Sequence, residues 1–173
     1  MTRARQSPSP QTVIRIPHIA AHPRSPAQRW VHFVIAACHS EDDPRTLGEW
    51  ARCAGVSYSS LGESCRLLNI RPQLARDFAR GLRALIKARE WQCSPELLLD
   101  FRDRRTLNGF LARAGYSFAS KGEGDSVARY LEEQLFIPCT NHGLRLLVDA
   151  FRTDRFGDTM LPSDTLVHRE NIR

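Results

Sequence analysis

Apolar positions recur along most of the chain at spacings of three and four, the signature of helices that bury one face. Trp30, Val31, Val34, Ile35 and Cys38 set out a first helix, which stops before the polar run Ser40-Glu41-Asp42-Asp43-Pro44. Leu47, Trp50, Ala51 and Ala54 set out a second. Thr46 and Glu49 stand at the spacing of a capping box, in which each side chain bonds the other's backbone N–H. Gly55 is placed to end that helix, since glycine takes a positive φ with little strain. Val56 then fills the crossing, and Ser57 caps a third helix whose inward face is Leu61, Cys65 and Leu68. Asn69-Ile70-Arg71-Pro72 breaks the chain again, and Pro72 suits the first turn of a helix running to about Trp91. Leu74, Phe78, Leu82 and Leu85 form its core-facing stripe.

The second half opens on Ser94-Pro95-Glu96, an N-cap, N1 proline and early acid in succession, with Leu97, Leu98 and Phe101 following. Asp103 to Ser120 then echoes Asp43 to Ser60 at an offset of 60 residues, with Trp50/Phe110 and Tyr58/Phe118 as aromatic pairs. The echo decays in Lys121-Gly122-Glu123-Gly124-Asp125, where two glycines and two acids predict a loop in place of a second reading helix. A helix starting at Asp125 or Ser126 carries Val127, Tyr130, Leu131 and Leu135. A last one follows Pro138 with Leu144, Leu147, Val148 and Phe151. The expected fold is all-α: a tri-helical helix-turn-helix unit at 28–91, then a small helical module at 94–152 that packs on it, dimerises or binds a partner. Residues 1–27, with Pro8, Pro10, Pro17, Pro23 and Pro26, read as an unstructured basic arm in which Val13-Ile14-Arg15-Ile16 is a short docking segment. Residues 153–173 read as a flexible tail.

Charge sharpens this division. The net charge is +6, but residues 1–30 carry five Arg and no acid, whereas residues 31–43 carry three acids and no Lys or Arg. Residues 44–91 hold nine Lys and Arg against four acids, and residues 92–173 are close to balance. Positive charge thus gathers on the arm and the helix-turn-helix unit, which favours an anionic partner. The longest apolar run, Val31 to Cys38, is too short to span a bilayer and is interrupted by His32, so no membrane partner is expected. There is no apolar leader at the N-terminus, and the five cysteines form no Cys-x-x-Cys pair. Both point to a cytoplasmic chain with reduced, mostly buried thiols. His32 and His39 flank Cys38, but no second cysteine lies nearby to complete a metal set.

A helix, a tight turn and a second helix form the layout that presents a helix to the major groove of double-stranded DNA. Ser57, Tyr58, Ser59, Glu63 and Arg66 are the candidate base readers: arginine bonds guanine bidentately, a carboxylate accepts from cytosine, and tyrosine reaches a phosphate or a thymine methyl. Arg76, Arg80, Arg83 and Lys87 recur down one face of the following helix, either as a solvated charged face or as a rail of phosphate contacts. Residues 46–86, from Thr-Leu-Gly-Glu-Trp-Ala-Arg-Cys-Ala-Gly-Val-Ser through Cys-Arg-Leu-Leu-Asn-Ile-Arg-Pro and the Arg-rich helix, resemble one helix-turn-helix unit of the AraC/XylS-type transcription regulators. The same stretch is similar to small bacterial helix-turn-helix domain-containing proteins. The resemblance implies sequence-specific DNA binding in transcription regulation, with the second helix in the groove. It departs from the family at Gly62, inside the reading helix, and at Ser64, where the family has a buried apolar residue. A unit of this size is expected to act as a homodimer or on paired half-sites. Two other functions fit the same elements, a helix-turn-helix-shaped adaptor for proteins and a nonspecific nucleic-acid binder.

No catalytic constellation appears. The chain lacks a glycine-rich phosphate loop, a nucleophile elbow, His-Glu-x-x-His and a Cys/His zinc pattern, so neither an enzyme nor a cofactor is expected. Glu132 and Glu133 are adjacent and diverge on a helix.

Overall fold

The computed structural model describes residues 25–115 and 126–153, and these are all-helical with no strand. Residues 1–24, the loop expected at 121–125 and residues 154–173 lie outside the described residues. The order is α1 (Pro26–His39), α2 (Leu47–Cys53), α3 (Tyr58–Leu67), α4 (Pro72–Trp91), a 3-10 turn (Pro95–Leu98), α5 (Arg104–Ala114), α6 (Ser126–Glu133) and α7 (His142–Thr153).

Helix α1 begins earlier than the proline-rich reading of residues 1–27 expects. Pro26 occupies the first turn, where its missing N–H costs nothing, and Ser25 and Gln28 form a reciprocal capping box at 3.2 and 3.0 Å. Trp30, Val31, Val34, Ile35 and Cys38 are buried as expected, but so are Ala27, Phe33 and Ala37. A helix apolar around most of its girth belongs inside a core. Accordingly α1 packs against α2, α3, α4 and α7. The indole of Trp50 from α2 donates to the Phe33 carbonyl at 2.8 Å, and Trp30 stacks on Phe78 of α4 with ring centroids 5.9 Å apart.

One apolar core runs through both sequence-defined halves. Tyr130 of α6 is fully buried, stacks on Phe78 at 5.6 Å and donates its hydroxyl to the Phe78 carbonyl at 3.0 Å. This contact explains a glycine in the middle of the longest helix: a Cβ on Gly81 would stand 2.2 Å from the tyrosine oxygen. The second half therefore packs on the first. At the other end of the core, Asn141 Nδ2, beside the start of α7, donates to the Leu68 carbonyl at 2.9 Å, just after α3.

The internal echo has a physical basis in its first helix; its remainder, residues 116–120, lies outside the described residues. Trp50 and Phe110 are both fully buried, and Gly55 and Gly115 both follow their helices at φ +66°. The starts differ. Thr46 caps α2, whereas α5 begins three residues earlier in the alignment, with Asp103 accepting from the Thr106 N–H at 2.8 Å and its hydroxyl at 2.7 Å. The expected helix at Ser94-Pro95-Glu96 shrinks to a single 3-10 turn, because the Ser94 hydroxyl donates to Glu96 and leaves the backbone uncapped. Leu135, assigned to the α6 apolar face, falls beyond that helix and is exposed; its N–H closes α5 by donating to the Ala114 carbonyl at 3.0 Å.

Candidate nucleic-acid interface

Local chemistry sets α2 and α3 in place. The Thr46–Glu49 capping box forms, with Glu49 N–H donating to Thr46 Oγ1 at 3.1 Å and Thr46 N–H donating to Glu49 Oε2 at 2.8 Å. That hydrogen bond from the Thr46 backbone holds the Glu49 carboxyl below its usual pKa. Gly55 turns the chain, and the Val56 N–H closes α2 on the Ala51 carbonyl at 3.0 Å. Ser57 caps α3 by accepting from the Ser60 N–H at 3.1 Å. Leu61, Ser64 and Cys65 are buried and Leu68 half-buried, so α3 is anchored along one side.

Its other side faces solvent. Ser57, Tyr58, Ser59, Glu63 and Arg66 are all exposed; at 100° per residue Tyr58, Ser59, Glu63 and Arg66 fall within an arc of about 140° on the outward side, and Ser57 stands before them as the N-cap. Gly62 lies within that face, and a Cβ there would meet nothing within 4 Å. The candidate base readers are thus brought together around a shallow dent at mid-helix. The face carries one cation and one anion.

The arginine rail is a correction. Arg80 and Arg83 are among the most buried polar residues, at 3% and 2% exposure, and turn into the protein. Arg80 makes a bidentate pair with Asp43 at 2.8 and 2.5 Å, and its guanidinium lies 4.5 Å over the Phe101 ring. The second Asp43 oxygen also accepts from the Asp100 N–H at 2.9 Å. Arg83 donates to the carbonyls of Ser40 (2.9 Å), Leu98 (3.1 Å) and Glu41. Burial lowers its pKa, with the negative charge of Asp43 acting against that shift. Arg76 is four-fifths covered and pairs with Asp77, which Arg113 of α5 approaches from the other side at 3.6 Å. Lys87 is covered too, lying 3.3 Å from Glu90. Arg80 and Arg83 fasten the α1–α2 loop and the 95–103 segment to α4, Arg113 ties α5 to it through Asp77, and Arg76 and Lys87 pair with acids of α4 itself. No face of free cations survives there to track a phosphate backbone.

The pattern of charges misled because i, i+4 arginines on an amphipathic helix resemble a solvated stripe. A usable signal existed in the acids of residues 31–43, of which Asp43 answers Arg80 of α4. Exposed cations stand next to α3 instead. Arg52 lies in the last turn of α2 and Arg71 caps α4, so they stand on the elements before and after α3.

The cysteines are free, with Cys38 and Cys65 buried and both thiols pushed up to about 12 by burial. Contrary to the expectation of mostly buried thiols, Cys53 and Cys139 are exposed and Cys93 is half-buried. Cys38 sits in the core while His39 points outward, which separates two of the residues flanking one another in sequence. Among the described residues no cluster of three or more His, Cys, Asp or Glu could hold a metal ion, and no helix is long and apolar enough to cross a membrane.

The fold is therefore a helical core that displays a helix-turn-helix on one side. Comparison with protein-family models, with curated proteins and with solved structures finds no match. The likeness to AraC/XylS-type units rests on residues 46–86 themselves.

Proposed function

We propose that the chain is a sequence-specific DNA-binding protein of the transcription-regulating kind, with α3 entering the major groove. The supporting observation is the segregation of α3: Leu61, Ser64 and Cys65 are buried, while Ser57, Tyr58, Ser59, Glu63 and Arg66 stand exposed behind a capped tight turn. In this reading Arg66 bonds guanine, Glu63 accepts from cytosine, and Tyr58 and the serines contact the neighbouring backbone and base edges. Phosphates are met by Arg52 and Arg71, the exposed cations either side of α3, in place of the buried α4 arginines. Few cations adjoin the helix, so affinity depends on a homodimer or paired half-sites. Selection of purified protein against a random duplex pool tests this. A defined motif is expected to emerge, with binding that weakens steeply as salt rises. Salt-sensitive binding without enrichment would replace the proposal with nonspecific nucleic-acid binding.

The inward turn of Arg80 and Arg83, with Arg76 and Lys87 paired to acids of α4, favours a second reading, a protein-interaction adaptor that keeps the helix-turn-helix shape. It predicts no duplex binding even at low salt.

A further inference from the structure

Beside the arginine anchors lies a groove of about 730 Å³ between the α1–α2 loop and the C-terminal end of α4. It carries two of the exposed large apolar side chains of the described residues. Trp91 is 53% exposed and Leu97 77%, the latter carried on the 3-10 turn that Arg83 pins down through the Leu98 carbonyl. Its polar rim is acidic. Glu41 and Asp42 are exposed, Arg45 is already paired with Asp100 at 3.0 Å, and Arg52 is the remaining exposed cation. Two exposed apolar side chains beside a carboxylate rim suit a short segment that is both apolar and basic.

We propose that this groove is the dock for the chain's own Val13-Ile14-Arg15-Ile16, closing residues 1–24 back onto the helical core. Charge selects the occupant. Of the three segments outside the described residues, 1–24 carries four Arg and no acid, 116–125 carries two acids against one Lys, and 154–173 carries four acids against three Arg. Residues 13–16 concentrate bulky apolar side chains in that basic segment. In an extended chain Ile14 and Ile16 share an edge, which fits Trp91 and Leu97, while Arg15 on the opposite edge meets Glu41 and Asp42. The tether reaches. Helix α1 has 14 residues, about 21 Å at 1.5 Å each, and Ser40 at its far end lines the groove. Eight residues lie between Ile16 and Ser25, nine Cα–Cα steps that span about 30 Å when extended. The proposal does not depend on what α3 binds.

Acrylamide quenching of tryptophan fluorescence in the full chain tests it. Trp30 and Trp50 are fully buried, so quenching reports on Trp91, and Trp91→Phe verifies the assignment. In the wild-type chain Trp91 is expected to be shielded. Replacing both isoleucines (Ile14→Asp with Ile16→Asp) changes none of the described core residues and should raise quenching severalfold and shift the emission to the red. Arg15→Glu should do so in part, and adding Glu41→Lys with Asp42→Lys should restore the shielding. Equal quenching of Trp91 in the wild type and the double isoleucine variant would overturn the proposal. So would shielding that appears only as protein concentration rises, which would place a second copy in the groove.

Discussion

Arg80 and Arg83 show how a side chain's partner decides its role. A guanidinium removed from water must recover its hydration through hydrogen bonds and an opposite charge. Arg80 recovers it from both Asp43 oxygens, with the Phe101 face stacked against it, and Arg83 from three carbonyls on two different loops. Removing either partner of the buried Arg80–Asp43 pair strands the other. Arg80→Ala is therefore expected to lower unfolding stability by about 3–5 kcal/mol in urea titrations. Its duplex affinity, measured where the variant is still folded, should stay near wild type. Normal stability with weakened binding to every duplex would return Arg80 to a phosphate-contacting role.

At the scale of elements, the caps and turns were legible in the sequence, because each rests on neighbours a few residues apart. Thr46 with Glu49, Gly55, Ser57 and Pro72 all take their expected places. What sequence did not disclose depends on distant residues: Asp43 lies 37 positions from Arg80, and Tyr130 must arrive from α6 before the glycine at position 81 makes sense. Two expectations belong at this scale. The Glu49 and Asp103 carboxyls are held below their ordinary pKa by hydrogen bonds from the Thr46 and Thr106 backbones. A lowered folded pKa gives stability that is complete above the unfolded value, near pH 4, and disappears as pH falls through the folded one. Thermal unfolding should thus hold steady from neutral pH to about pH 5 and fall below about pH 4, with a shallower fall in Glu49→Gln with Asp103→Asn. An identical acid limb in that variant would remove these caps from the account. Gly62→Ala, which places a methyl where nothing lies within 4 Å, should stabilise the fold by about 1 kcal/mol. If α3 approaches DNA across this dent, the same methyl weakens binding while the melting temperature rises, a split that a purely structural glycine would not produce.

For the whole molecule, one apolar core runs through both sequence halves, which predicts that they unfold together. Tyr130, Phe78 and Trp30 stack in series across α6, α4 and α1, and Asn141 holds the end of α3. Near-ultraviolet and far-ultraviolet signals should therefore report one coincident unfolding transition. Two separated transitions would restore independent units at 28–91 and 94–152. Which of packing, dimerisation or partner binding the second half serves was not legible in the sequence, because the apolar stripes of α6 and α7 reveal that something is covered, but not by what. The function of the assembled molecule turns on α3, and one titration tests it most directly: binding of a pool-selected duplex, and of the same duplex changed at one base pair at a time, by wild type and Arg66→Ala. The account predicts that Arg66→Ala costs about 1–3 kcal/mol on the selected duplex and abolishes discrimination at one position only. Equal losses on every duplex, or none, would contradict α3 as a reader of sequence.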